Sequence, residues 1–388
     1  LGNPPWERIK LQEEEFFATR NADVAKAKNK AERAQRIQWL SEGMLAKHLL
    51  PDLQHSEYEC AAEVRLFNEF LTTKRTAEAA SAFMHVKGDE GGRYPLTGVG
   101  DVNTYALFAE TITNVTSKFG RAGFIVPSGI ATDDSTKRYF QYIVNNNLLI
   151  SLLGFDNALK IFPAVHSDTP FSLVTIGSNQ FDAVIAHYIL TIDDLKDTRK
   201  RFSLSQTEFR LINPNTLTCP IFRSERDAEL TKKIYRAAPI LINEMKENGN
   251  PWGIEFMRMF DMSNDSHLFH SKAGEGLLPL YEAKMIHQFD HRWATYEGDS
   301  SDDCTLAEKA NPNFEVTPRY WVDNSEVKRR LAEKNYTRQW MFLMRGITNA
   351  TNSRTLITTI APLSAAGNSC PILIPSENIA AEEISLLQ

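Results

Sequence analysis

Ala122-Gly123-Phe124-Ile125-Val126, followed at once by Pro127-Ser128-Gly129, is a short apolar run that stops in a turn. The same alternation continues outward from it. Asp134 to Asn145 has the composition of a helix, Leu148 to Leu153 is a second apolar run, and Phe171 to Ile176 is a third. Strand, helix and strand in that order predict an α/β sheet. Toward the N-terminus, the stretch from Gly88 to Gly100 holds five glycines and a proline and reads as a loop. Asp101-Val102-Asn103 then opens a helix through Tyr105, Leu107 and Phe108. From Glu7 to about Met84 the composition is helical, broken at Leu50-Pro51-Asp52, and Val64, Phe67 and Leu71 fall on one apolar face. Two or three helices are expected there. Toward the C-terminus, charge rises between Asp193 and Arg201 and marks a boundary. Short aromatic-rich strands and Asn/Asp/Gly turns follow, as in an α+β module.

The whole composition fits an ordinary globular protein. Of 388 residues, 42% are hydrophobic and 24% charged, which excludes a disordered or fibrous chain. At roughly 150 residues per domain the length implies two or three domains. The longest apolar run, near Leu148 to Phe155, is about half of what spans a bilayer, and no secretory signal opens the chain, so a cytoplasmic protein without a membrane partner is expected. Cys60, Cys219, Cys304 and Cys370 lie far apart without a CxxC pair and read as structural thiols.

The net charge of −6 does not mark a polyanion binder, but its distribution is uneven. From Val316 to Arg354 there are eight basic residues against three acidic ones, interleaved with Tyr320, Trp321, Tyr336 and Trp340. Such a segment is either a polyanion-facing surface or a solvated helix face.

Asn3-Pro4-Pro5-Trp6 carries the most specific chemistry. The exocyclic amine of a nucleobase is a poor nucleophile because its lone pair is delocalised into the ring. A side-chain amide oxygen and a neighbouring carbonyl that accept its two hydrogens make it more sp³-like. Two prolines stiffen the turn, and the following aromatic offers a stacking face for an extruded base. A proline-stiffened turn after a strand is the plain structural alternative.

The surroundings favour the chemical reading. LGNPPWERIKLQEEEFFA, Leu1 to Ala18, resembles motif IV and its continuation in the gamma-class adenine-N6 DNA methyltransferases, in particular Type IIG restriction-modification and related phage-defence methylases. GDVNTYALF, Gly100 to Phe108, resembles the family's helix after a long insert, and GRAGFIVPS, Gly120 to Ser128, its motif VI. Phe162-Pro163 is similar to motif VIII, and Leu278 to Arg292 and Arg345 to Arg354 to the target-recognition region.

The resemblance implies a fold and a site. The fold is the second half of a Rossmann-like methyltransferase sheet with a helical insert, followed by an α+β target-recognition domain. Residues 1–6 would end the catalytic strand, 7–90 form the insert, 91–200 the later half of the catalytic domain, and 201–388 the recognition domain. Asn3, Pro4, Pro5 and Trp6 would be the catalytic turn, with Trp6 and Phe162 sandwiching the flipped adenine. Lys284, His287, Arg292, Arg345, Asn349, Asn352 and Arg354 would touch double-stranded DNA. The methyl donor implied is S-adenosylmethionine, whose binding motifs precede motif IV in the family, so the chain reads as a C-terminal part of a larger enzyme. A DNA-binding defence subunit without chemistry is the alternative, and RNA or protein amine methylation shares the same turn. His287, Asp290 and His291 have chelate-like spacing but apolar neighbours and no HExxH, which favours a structural element over a metal site. Glu282-Ala283-Lys284 has the form of half a nuclease site without its upstream Asp.

Overall fold

A computed structural model describes residues 1–349, 351–376, 379 and 381–387. Ala350, within the recognition-like stretch, lies outside the described residues. The chain divides into two compact units, Leu1–Ile240 and Leu241–Gln388.

The first unit is mixed α/β. Its sheet runs in the order β1 (Arg121–Pro127), β3 (Phe171–Gly177), β2 (Leu149–Phe155), β4 (Ala183–Ile189) and β5 (Arg201–Leu204). The three predicted strands are therefore present. The helix Lys137–Asn145 carries the chain from β1 to β2 and buries Tyr139, Phe140, Ile143 and Val144 against the sheet. This crossover leaves one place between β1 and β2. β3 returns from β2 to fill it, antiparallel to both neighbours. β2 then pairs with β4 in parallel.

One sheet face packs Val126, Leu152, Val174 and Ile185 beneath Phe140 and the helix Thr104–Val115. Each fully buried side chain of this kind contributes roughly 1.5–3 kcal/mol. The other face holds a smaller cluster of Phe155, Phe171, Ala186 and Ile189. The domain boundary lies later than residue 200. β5 pairs antiparallel with β4, and Phe202, Leu204, Phe209 and Ile212 belong to the first core. The charged stretch Asp193 to Arg201 holds short 3-10 turns, in which Asp194 pairs with Lys200 and Asp197 with Arg199.

The insert breaks where expected, between the helices Leu45–Leu49 and Glu57–Met84. Ahead of it lie more short helices than predicted, because Asn21 and Asn29 each cap a new start with a side-chain oxygen. Ser56 and Glu59 form a reciprocal capping box for the long helix. That helix buries Phe70, against Phe16 and Phe17, while Val64, Phe67 and Leu71 are half-buried.

The second unit is built from short strands. One sheet runs β12 (Thr358–Pro362), β11 (Trp340–Met344), β14 (Ile372–Ile374), β6 (Glu255–Met257), and another β10 (Trp321–Asp323), β7 (Leu277–Tyr281), β13 (Ala365–Ala366). β8 (Ala294–Glu297) and β9 (Ser300–Asp303) form a hairpin. Phe260, Leu280, Met285, Met341 and Ile372 lie in its core. Among the described residues, no helix is long and apolar enough to cross a membrane.

Candidate functional site

In the first unit, Gly2 joins the sheet edge. Its N–H donates to the Gly123 carbonyl at 3.0 Å and its carbonyl accepts from Ile125 N–H at 3.0 Å, parallel to β1. The chain then leaves the sheet as Asn3-Pro4-Pro5-Trp6.

The helix Thr104–Val115 holds this turn from its N-terminal end. Asn103 Nδ2 donates to the Trp6 carbonyl at 3.1 Å while Asn103 Oδ1 caps the helix at Tyr105 N–H. Thr104 Oγ1 donates to the Pro5 carbonyl at 2.8 Å and accepts from Glu7 N–H at 3.1 Å. Trp6 Nε1 reaches the Ile125 carbonyl at 3.4 Å. Pro4 is buried and Asn3 is exposed. No described residue hydrogen-bonds the Asn3 side chain or donates to the Pro4 carbonyl. The turn is clamped on both sides of two acceptors that stay free.

Phe162 comes to the same cluster by a different device. Asn157 is fully buried, and its Nδ2 donates to the carbonyls of Phe162, Val165 and His166, each at 3.2 Å. Its Oδ1 accepts from Phe162 N–H at 3.0 Å. One amide thus shapes the loop between β2 and β3. Trp6 and Phe162 meet edge to face, with centroids 5.7 Å apart and planes at 71°, and Phe171 packs against both. In this structure the two rings are not spaced as a sandwich. A base between two parallel rings needs roughly 7 Å, twice the 3.4 Å base repeat, and these rings close directly on each other.

Sequence reasoning missed Asn103, Thr104 and Asn157 as site builders, and Glu110 as their support. Glu110 is buried, and its carboxyl accepts from Leu96 N–H, Thr97 N–H and the Thr97 hydroxyl at 3.2, 3.0 and 2.6 Å. That ties the loop before the clamping helix onto the helix itself. Only Asn103 carried a local signal, as a helix opener.

A cavity of about 650 Å³ opens at the ends of β1 and β2, lined by Ser128, Asp133, Phe155, Asp156 and His187 among others, but by neither Trp6 nor Phe162. Burial pushes His187 down to about 4, and burial raises the Cys219 thiol that sits 3.7 Å from its Nε2. Both are therefore neutral near pH 7, which suits packing and not nucleophilic catalysis.

In the second unit the recognition candidates separate into two groups. The Arg292 guanidinium donates to the carbonyls of Lys309, Asn311 and Phe314 at 2.9, 3.2 and 3.3 Å. Arg345 donates to the Ile286 carbonyl through Nε and Nη2 at 2.9 and 2.6 Å. The His287 ring lies against Trp293 at 4.3 Å, and burial, then the Arg345 charge, lowers its pKa. The two arginines thus spend their guanidinium donors on loop carbonyls, and His287 packs its ring on Trp293. Lys284, Asn349, Asn352 and Arg354 are exposed.

The basic run resolves the same way. Arg319 pairs with Glu282, Arg329 with Glu326, Arg330 with Asp265 and Lys334 with Glu255, while Arg338 bonds the Ser376 carbonyl. Glu282 is thereby a structural partner of Arg319. His287 and His291 flank a tight turn, not a helix, and among the described residues no group of three potential ligands could hold a metal ion.

No family model matches the chain, and no curated protein matches it. Solved structures align with it in part. A type I restriction-modification methyltransferase subunit from Streptococcus thermophilus is 11% identical over 34% of this chain and 34% of its own, with a TM-score of 0.28. The type IIG restriction endonuclease BpuSI is 14% identical over 76% of this chain and 38% of its own, at 0.25. The Type IIL restriction-modification enzyme MmeI, solved in complex with DNA, is 8% identical over 78% of this chain and 40% of its own, at 0.38. The alignments thus span between a third and two fifths of each of these proteins.

Proposed function

We propose that this chain provides the base-gripping turn and the DNA-recognition part of a DNA adenine-N6 methyltransferase of the restriction-modification or phage-defence kind. The observation that carries the reading is the pair of free acceptors, the Asn3 side chain and the Pro4 carbonyl, in a turn whose flanks are hydrogen-bonded. Aimed at an extruded adenine, they would take the two N6 hydrogens and localise the nitrogen lone pair for attack on a methyl group. Trp6 would stack on the base from one side. One such contact is worth about 1–3 kcal/mol and offsets much of the few kcal/mol that extrusion costs.

S-adenosylmethionine supplies the methyl group in this reading. The glycines of residues 88–100 do not fit a cradle for it. A Cβ at Gly92 or Gly98 would fall 1.8 or 1.9 Å from the carbonyl oxygens of Val86 and Met84, so these glycines let the loop fold onto the end of its own helix. The second reading, a DNA-binding subunit without chemistry, draws on that misfit. Sequencing genomic DNA for N6-methyladenine separates the two. A strain expressing the gene should carry a modified motif that is lost with Asn3→Ala, and a motif that survives the substitution would remove Asn3 from the mechanism.

A further inference from the structure

We infer that Phe289 is a wedge that enters the base stack of duplex DNA. The inference rests on the DNA-acting reading above and adds how the second unit would engage its partner. Phe289 sits in the left-handed region at φ +63°, and the residue is 63% exposed. An aromatic residue there is strained, and an exposed ring returns little burial in exchange. The strain is nevertheless held firmly. His287 and Asp290 exchange backbone hydrogen bonds at 2.7 and 3.0 Å across the turn, Phe289 N–H donates to the Thr358 carbonyl at 3.0 Å, and Thr358 N–H donates to Gln288 Oε1 at 3.1 Å. Arg345 grips the preceding Ile286 carbonyl. The turn thus presents a rigid ring outward, at a position where Gly or Asn would serve the backbone better.

Its neighbours point to nucleic acid. Arg345 bonds the turn and so does Thr358, and among the described residues between them Asn349, Asn352 and Arg354 are exposed. Lys284, also exposed, lies on the other side of the turn in sequence. The adjacent Asp290 carboxylate is held by Lys309 at 2.7 Å, so the chain segments that adjoin the turn offer amides and cations beside an apolar ring, which is how proteins unstack a base step while holding the backbone.

The test uses this chain with two fluorescent 30-base-pair mixed-sequence duplexes, one intact and one with a single abasic position that a wedge can fill without unstacking. Wild type should prefer the abasic duplex by about tenfold. Phe289→Asn should erase that preference while melting at the wild-type temperature, because Asn accepts the same backbone conformation, and Phe289→Trp should keep it. Equal affinity of wild type for the two duplexes, or a preference that persists in Phe289→Asn, overturns the wedge alone. Loss of self-association in Phe289→Asn with DNA binding unchanged makes the ring a protein contact and overturns it too. Failure of wild type to bind either duplex overturns the DNA-acting reading as well.

Discussion

The Asn3–Trp6 turn and the segment that begins at Arg345 both carry candidate DNA contacts, and they use their polar groups in opposite ways. The turn spends its neighbours' hydrogen bonds on the flanking carbonyls and leaves its own acceptors open. Around that segment, the strongest donor, Arg345, is consumed by a backbone carbonyl, and most of the surrounding basic run is paired. Charge in a sequence therefore says less about a partner than the count of donors and acceptors left over after folding. Arginine in particular suits internal work, since its planar fork satisfies several carbonyls at once.

The sharpest way to break this contrast is to remove the support under the turn. Glu110→Ala leaves the buried Thr97 N–H and hydroxyl and the half-buried Leu96 N–H unpaired and should cost about 2–4 kcal/mol, read from denaturant unfolding of the chain. A loss below about 1 kcal/mol would mean that the loop finds other partners.

Acid probes the same unit at His187, beside Cys219 of the same core. His187 is held neutral, with its folded value near 4 below the ordinary 6.5. Its contribution is complete above pH 6.5 and is lost as pH falls toward 4, on the order of 2–3 kcal/mol. A His187→Gln variant should flatten that part of the stability profile, and an unchanged slope would assign it to other groups.

Asn157→Ala should cost about 2–3 kcal/mol by unpairing the carbonyls of its loop, and it should loosen Phe162. The near-ultraviolet circular dichroism of the Trp6–Phe162–Phe171 cluster would report that loosening, and an intact signal would show that the aromatic contacts hold the loop by themselves.

The smallest effect sharpens the contrast within the second unit. Arg354→Ala should leave the melting temperature unchanged and lower the slope of log affinity against log salt by about 1. Arg345→Ala should do the reverse, destabilising the unit with little change in that slope. If Arg345→Ala alters the slope as Arg354→Ala does, the division between holding and touching fails.

The sheet was legible in the sequence because its strands are compact apolar runs. Ala122 to Val126, Leu148 to Leu153 and Phe171 to Ile176 each appear within a residue or two of their predicted limits. The insertion of β3 between β1 and β2 was not readable, since a strand's pattern states how buried it is and not which neighbour it takes. Asn3 and Trp6 stood out through a local motif. Asn157 did not, because its four hydrogen bonds go to a loop without any repeating pattern. The charged stretch near residue 200 was ambiguous for a related reason. Salt-bridged turns and a linker share the same charged composition, and only the pairing of β5 with β4 tells them apart.

The bond from Trp6 to Ile125 joins positions 119 residues apart, and those from Asn103 and Thr104 to the turn join positions almost as distant. The turn has little local structure to stand on until that later chain has arrived and paired. It is thus expected to take shape among the last events of folding, its geometry an indicator that the first unit is complete.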